Sequence, residues 1–130
     1  MNYKALIHKA VEAKKMAHPP YSNFHVGAAL LTGDGKIYSG CNVENSTYGL
    51  SLCAERTAIF KAMSEGERKF SAIAIAGDSP DFIYPCGACR QIIFDHCGEI
   101  DIIVTNSKEE YKIYKTSELL PFAFGDKDLH

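Results

Sequence analysis

Apolar residues recur at helical spacing near the start of the chain. Tyr3, Leu6, Ile7, Ala10 and Val11 share one side of a wheel, with Lys14 continuing the series, while Lys4, His8, Glu12 and Lys15 fall largely elsewhere. This period predicts an amphipathic helix over residues 3–16, about four turns long. His18-Pro19-Pro20 is expected to end it, because proline lacks an amide donor and restricts the residue before it. The pattern then changes. HVGAALLT (25–32) predicts a strand, Gly33-Asp34-Gly35 a turn, and KIYSGC (36–41) the returning strand of a hairpin. Residues 42–52 are polar and irregular and predict a loop. Residues 53–64 are rich in helix formers; the small Ala54, Ala58 and Ala62 imply close packing, and Gly66 is the stop. FSAIAIA (70–76) is a short apolar run bounded by Gly77 and Pro80, which predicts a buried strand. A helix over 87–96 stopped by Gly98, a buried strand over 100–105, an edge-like strand over 111–115 and a helical turn over 117–120 complete the chain.

The order is α-β-β-α-β-α-β-β. Strands separated by helices imply parallel crossovers, and the opening pair implies an antiparallel hairpin. The expected fold is α/β, a three-layer αβα sandwich with a mixed five-stranded sheet. With 130 residues, 46% of them apolar, and no internal repeat or linker, one domain over 1–130 is expected. Net charge is −2 and no basic stripe is present. Lys14-Lys15 belongs to the polar face of the first helix. Nucleic acid is therefore not expected as the main substrate. The first residues lack the apolar core of a signal peptide. No segment approaches the roughly 18 apolar residues of a membrane span. A cytoplasmic protein without a membrane partner is expected. Five cysteines is an odd count and argues against a closed disulfide framework. In a reducing compartment, clustered cysteines more often bind metal or do chemistry.

Two motifs carry that chemistry: Cys53-Ala54-Glu55 and Pro85-Cys86-Gly87-Ala88-Cys89. Each stands at the start of a predicted helix, just after a loop. Cys86 and Cys89 are three apart, so a helix puts both sulfurs on one face. Such a pair can clamp one zinc at about 2.3 Å per sulfur. Helix N-termini also favour thiolate over thiol. Cys53, at a second helix start, would supply a third sulfur. Three protein ligands leave one tetrahedral position for water, as in catalytic rather than structural zinc sites. Glu55 lies two residues beyond Cys53, placed to move protons without being a ligand.

Cys-x-Glu followed by Pro-Cys-x-x-Cys resembles the signature of the zinc deaminases. The likeness extends through Tyr21-Ser22, Phe24-His25-Val26-Gly27-Ala28-Ala29, Gly40-Cys41-Asn42-Val43-Glu44-Asn45, Cys53-Ala54-Glu55-Arg56-Thr57-Ala58, Pro85-Cys86-Gly87-Ala88-Cys89-Arg90-Gln91 and Leu119-Leu120-Pro121. Over nearly its whole length the chain resembles the small homotetrameric cytidine deaminases. The resemblance implies one Zn²⁺ per subunit held by Cys53, Cys86 and Cys89, with Glu55 catalytic. It implies ribose binding by the Asn42-Val43-Glu44 run, stacking of Phe24 on the pyrimidine, and reading of the base edge by the Ala54 backbone and Glu55. It implies that Asn45, Ser46 and Tyr48, together with Phe124, reach a neighbouring subunit's site. Phe122 stands where a small residue is expected; of the two phenylalanines, Phe124 is assigned the stacking role. Arg56 is expected to hydrogen-bond zinc-bound sulfurs. Three thiolates on Zn²⁺ carry a net −1 and polarise water weakly, and a guanidinium beside them would restore some acidity.

The activity implied is hydrolytic deamination of cytidine and 2′-deoxycytidine, with blasticidin S as an alternative aminated nucleoside. A redox Cys-x-x-Cys would leave Cys53-Ala54-Glu55 unexplained. A closed structural zinc site would need Cys41, His25 or His96 as fourth ligand. Cys41 and Cys97 are expected to be structural, and His25 and His96 packed or solvated.

Overall fold

The computed structural model describes residues 3–128. Helix α1 (Lys4–Lys14) leads to strands β1 (Val26–Thr32) and β2 (Ile37–Cys41). A 3-10 turn (Tyr48–Leu50) precedes helix α2 (Ala54–Ser64) and strand β3 (Phe70–Gly77). Helix α3 (Gly87–Cys97), strands β4 (Asp101–Thr105) and β5 (Tyr111–Lys115), helix α4 (Thr116–Leu119) and a 3-10 turn (Asp126–Asp128) follow. The expected element order holds throughout.

The five strands form one mixed sheet in the order β2-β1-β3-β4-β5. β1 is antiparallel to both β2 and β3, β3 is parallel to β4, and β5 returns antiparallel on β4. The crossover through α3 therefore joins neighbours. The one through α2 carries the chain past β1, because the hairpin strand already occupies the outer edge.

Side chains of successive strand residues alternate between two cores. On one face α1 lays Leu6, Ile7 and Ala10 over Ala29, Leu31, Ala72, Ala74, Ala76 and Ile103. On the other, α2 and α3 bring Ala58, Ile59, Ala62 and Ile93 onto Ala28, Leu30, Ile73, Ile75, Ile102 and Val104. This is the three-layer arrangement. Ala54, Ala58 and Ala62 are fully buried, as their size predicts. Two glycines allow the helices to lie this close. A Cβ on Gly27 would strike the Ala10 carbonyl and stand 2.5 Å from the Lys14 nitrogen. One on Gly40 would stand 2.5 Å from the Ala58 nitrogen and 2.8 Å from the Ala54 carbonyl.

The regular part of α1 ends before His18-Pro19-Pro20, and turn bonds continue as far as Ala17. The helix stops at Lys14, where the Lys15 N–H turns to the Glu12 carbonyl at 3.1 Å. His18 itself is paired. Its N–H donates to the Asn42 carbonyl at 2.9 Å, and its own carbonyl accepts from the Glu44 N–H at 3.0 Å. A short stretch of pairing thus ties the segment before β1 to the loop that follows β2.

Candidate active site

α2 and α3 lie on the same face of the sheet, and both begin at the end where β3 finishes. Cys53 is the N-cap of α2 and Cys86 the N-cap of α3, both in extended backbone conformation. Cys89, one turn into α3, is fully buried. Among the described residues, the ligand atoms of Cys53, Glu55 and Cys89 lie within 4.8 Å of one another. The sulfurs of Cys53 and Cys89 are in contact. Their Cα atoms, however, stand 7.6 Å apart, wider than the roughly 4.4–6.8 Å that disulfides usually span. That backbone spacing suits two ligands of a shared ion better than a bonded pair.

The Cys86 sulfur stands outside this tight group. It accepts the Cys89 N–H at 3.4 Å and faces the same cavity. Arg56 Nε donates to the Cys53 sulfur at 3.2 Å, and its Nη2 donates to the Ser51 carbonyl at 3.3 Å. Three cysteine sulfurs at the starts of two neighbouring helices are the soft donors that zinc takes. The donor set therefore fits zinc, with Cys53, Cys86 and Cys89 as the residues that would hold it.

Glu55 is buried at the first turn of α2. Burial raises its carboxyl to about 6, opposed in part by its own backbone N–H and by Arg56. A carboxyl in that range exchanges protons readily near neutral pH. His25, Cys41, His96 and Cys97 do not join the group. His25 Nδ1 lies 3.0 Å from Asp78 Oδ2, and His96 stands edge-on to Phe60 with ring centroids 6.0 Å apart. Cys41 is half-buried at the end of β2. Burial pushes the Cys97 thiol up to about 12.

A cavity of about 370 Å³ opens over these groups. Phe24, Asn42, Glu44, Cys53, Ala54, Glu55, Arg56 and Cys86, all named from the sequence, line it. Val26, Ser51, Leu52, Ile83 and Tyr84 also line it. Sequence reasoning missed these five, although Ser51-Leu52 and Ile83-Tyr84 lead directly into the two cysteine motifs. Asn42 is buried; its Oδ1 accepts the Val26 N–H at 2.9 Å and its Nδ2 donates to the Phe24 carbonyl at 2.8 Å. An amide has four bonding positions, so one hydrogen and one lone pair remain for a ligand. The Glu44 carboxylate takes the Tyr21 and Ser22 N–H groups at 3.1 and 2.9 Å and the Ser22 hydroxyl at 2.5 Å. These bonds hold its carboxyl below the usual range.

Of the remaining site residues of the sequence reading, Val43, Asn45, Ser46 and Phe124 lie off this cavity. Val43 pairs with Leu52 through its backbone and exposes its side chain. Asn45 and Ser46 are exposed, and the Asn45 amide is tied to the Leu50 carbonyl at 3.0 Å. The Tyr48 side chain lies outside the described residues. Phe124 is 59% exposed and lines a separate depression with Gln91, Phe94 and Asp95. Phe122 is fully exposed, at a φ of 56°.

The model of the cytidine and deoxycytidylate deaminase zinc-binding region matches residues 1–105. The chain belongs to this family. A cytidine deaminase of Sporosarcina psychrophila is 48% identical over 130 residues, covering 99% of this chain and 96% of the relative. One from Mycobacterium tuberculosis is 37% identical over 129 residues, covering 99% and 94%. The crystal structure of a cytidine deaminase from Burkholderia pseudomallei superposes with a TM-score of 0.92 at 47% identity, covering 95% of this chain and all of the other. The family's α/β fold thus extends over almost the whole described chain.

Proposed function

We propose that this protein hydrolyses cytidine and 2′-deoxycytidine to the uracil nucleosides and ammonia. The observation that carries the reading is the buried Glu55 carboxyl within 4.8 Å of two cysteine sulfurs, at the floor of a cavity walled by Phe24. When bound by Cys53, Cys86 and Cys89, zinc supplies a Lewis acid that makes water nucleophilic near neutral pH. Glu55 accepts the proton lost by the attacking water and delivers it to N3 of the pyrimidine. That protonation draws electron density from C4, where the new C–O bond forms. Glu55 then takes the remaining hydroxyl proton and passes it to the departing amine, so the C4–N bond breaks with release of ammonia. Phe24 stacks on the base, the Ala54 backbone reads its edge, and Asn42 and Glu44 bind the ribose. Arg56 withdraws charge from the Cys53 sulfur.

The assembly we propose is a cytoplasmic homotetramer with one zinc per subunit, in which Asn45, Ser46, Tyr48 and Phe124 serve a neighbour's cavity. Exposure of Phe124, away from its own chain's cavity, supports that role.

An ultraviolet assay with cytidine, deoxycytidine and blasticidin S tests the substrate class. Both cytosine nucleosides should be consumed and blasticidin S spared; turnover of blasticidin S alone would overturn the reading. Glu55→Gln should lower kcat by roughly three orders of magnitude or more, the upper range of general acid–base catalysis, and leave zinc content unchanged. Near-normal turnover in that variant would reject the role of Glu55.

A further inference from the structure

Phe24 is held at the cavity by bonds along its own main chain. Its N–H donates to Ser22 Oγ at 3.2 Å, and its carbonyl accepts from Asn42 Nδ2 at 2.8 Å. The next amide is fastened by a residue that does not line the cavity. The His25 N–H donates to Asp78 Oδ2 at 2.8 Å, and His25 Nδ1 lies 3.0 Å from the same oxygen. The other carboxylate oxygen stands 3.5 Å from Lys14 Nζ. That ammonium also donates to the Gly77 carbonyl at 3.4 Å. Asp78, the residue after β3, thereby gathers the last residue of α1 and the residue before β1. The Phe24 ring lies over the same strand end: a Cβ on Gly77 would stand 3.3 Å from Phe24 Cζ and 2.8 Å from Ile83 Cγ1.

We propose that Asp78 is a positioning residue for the pyrimidine site, fixing the Phe24 ring through the His25 backbone and side chain. The inference rests on reading the cavity as the nucleoside pocket. The Phe24 Cα lies in the same rigid peptide plane as the His25 N–H, so fastening that amide fixes the plane that carries the ring, and an unfastened amide lets the ring swing from its place against the base. The chemistry of the contact separates carboxylate from amide. In Asp78→Asn, the amide oxygen can still take both His25 contacts, while the Lys14 ammonium, a donor like the new NH₂ group, turns away to solvent. The ion pair is lost but the hold on Phe24 is kept.

The test is steady-state kinetics on the zinc-loaded protein with cytidine. Asp78→Ala should raise KM about tenfold while kcat stays within about twofold, the pattern of lost ground-state binding. Asp78→Asn should recover most of that KM. In a Phe24→Ala background, adding Asp78→Ala should change KM by less than about twofold, because the two act through one ring. Additive effects in that cycle, an unmoved KM in Asp78→Ala, or an Asn variant as damaged as the Ala variant would each overturn the proposal. Asp78→Ser, whose hydroxyl is too short to span both His25 contacts, carries the same comparison if the alanine variant does not fold. An unsubstituted protein inactive on cytidine would instead sink the pocket reading itself, and with it this inference.

Discussion

The Tyr3 hydroxyl donates to Asp101 Oδ2 at 2.6 Å, and Lys115 Nζ holds the other oxygen at 2.6 Å. Burial, then the bond to Asp101 and its charge, push the Tyr3 phenol up to about 12. The bonds from Lys115 and Tyr3 hold Asp101 below the usual carboxylate range. The signs of the two linkages differ. A raised phenol pKa contributes stability fully present below about 10, lost as pH climbs toward about 12. A lowered carboxyl contributes stability present above its ordinary value and lost as pH falls through the depressed one. Tyr3→Phe should therefore cost about 1.5 kcal/mol at neutral pH, the low end for a bond to a charged group. It should also flatten the loss of stability above pH 10. Urea denaturation at neutral pH and at about pH 11 checks both. A variant that keeps the full alkaline slope would place its origin in another group.

At the scale of elements, helix-to-sheet distance is set where backbone meets backbone. Gly27 sits beneath the last turns of α1, and Gly40 beneath the first turn of α2. Adding one methyl at either position should destabilise by about 1–3 kcal/mol, the usual cost of overfilling a packed interior. Gly49→Ala, with nothing within 4 Å of its added Cβ, is the control and should be near neutral. Gly40→Ala should also lower activity, because α2 carries Cys53 as its cap and Glu55 in its first turn. Gly27→Ala displaces the opposite layer and should affect stability more than turnover. Thermal melts beside cytidine turnover distinguish the two; equal loss of turnover in both would argue against this division.

For the whole molecule, the metal and the assembly are the quantities to measure. Dialysis against a strong chelator should abolish turnover, and added zinc should restore it. The melting temperature should fall with metal loss, since an ion that binds only the folded chain stabilises it by an amount that grows with the logarithm of its affinity. Cys86 is exposed and Cys89 fully buried. Cys89→Ala should thus lose both zinc and stability, the latter by about 1–3 kcal/mol through the cavity left behind. Cys86→Ala should lose zinc with little further cost to the fold. Metal analysis and denaturation of the two variants make the comparison. Sedimentation tests the proposed tetramer, and a fully active monomer would exclude shared sites.

The periodicity of the chain by itself determined the order and type of its elements, because alternation and helical spacing record which face each segment buries. It also carried the two cysteine motifs and Glu55, since those residues stand within a turn or two of helix starts marked by short-range signals. Tertiary structure alone decided the rest. The pairing of His18 with the loop after β2 is a long-range contact that no local signal carries. Asn42 and Glu44 are legible in the sequence as ligand groups, but not as the residues that also hold the segment around Phe24. Asp78 gave no signal at all; it meets His25 across 53 residues only because β1 and β3 lie side by side with Val26 opposite Gly77. Local pattern encodes burial over a few residues, whereas such contacts are created by strand register, which exists only once the sheet has formed.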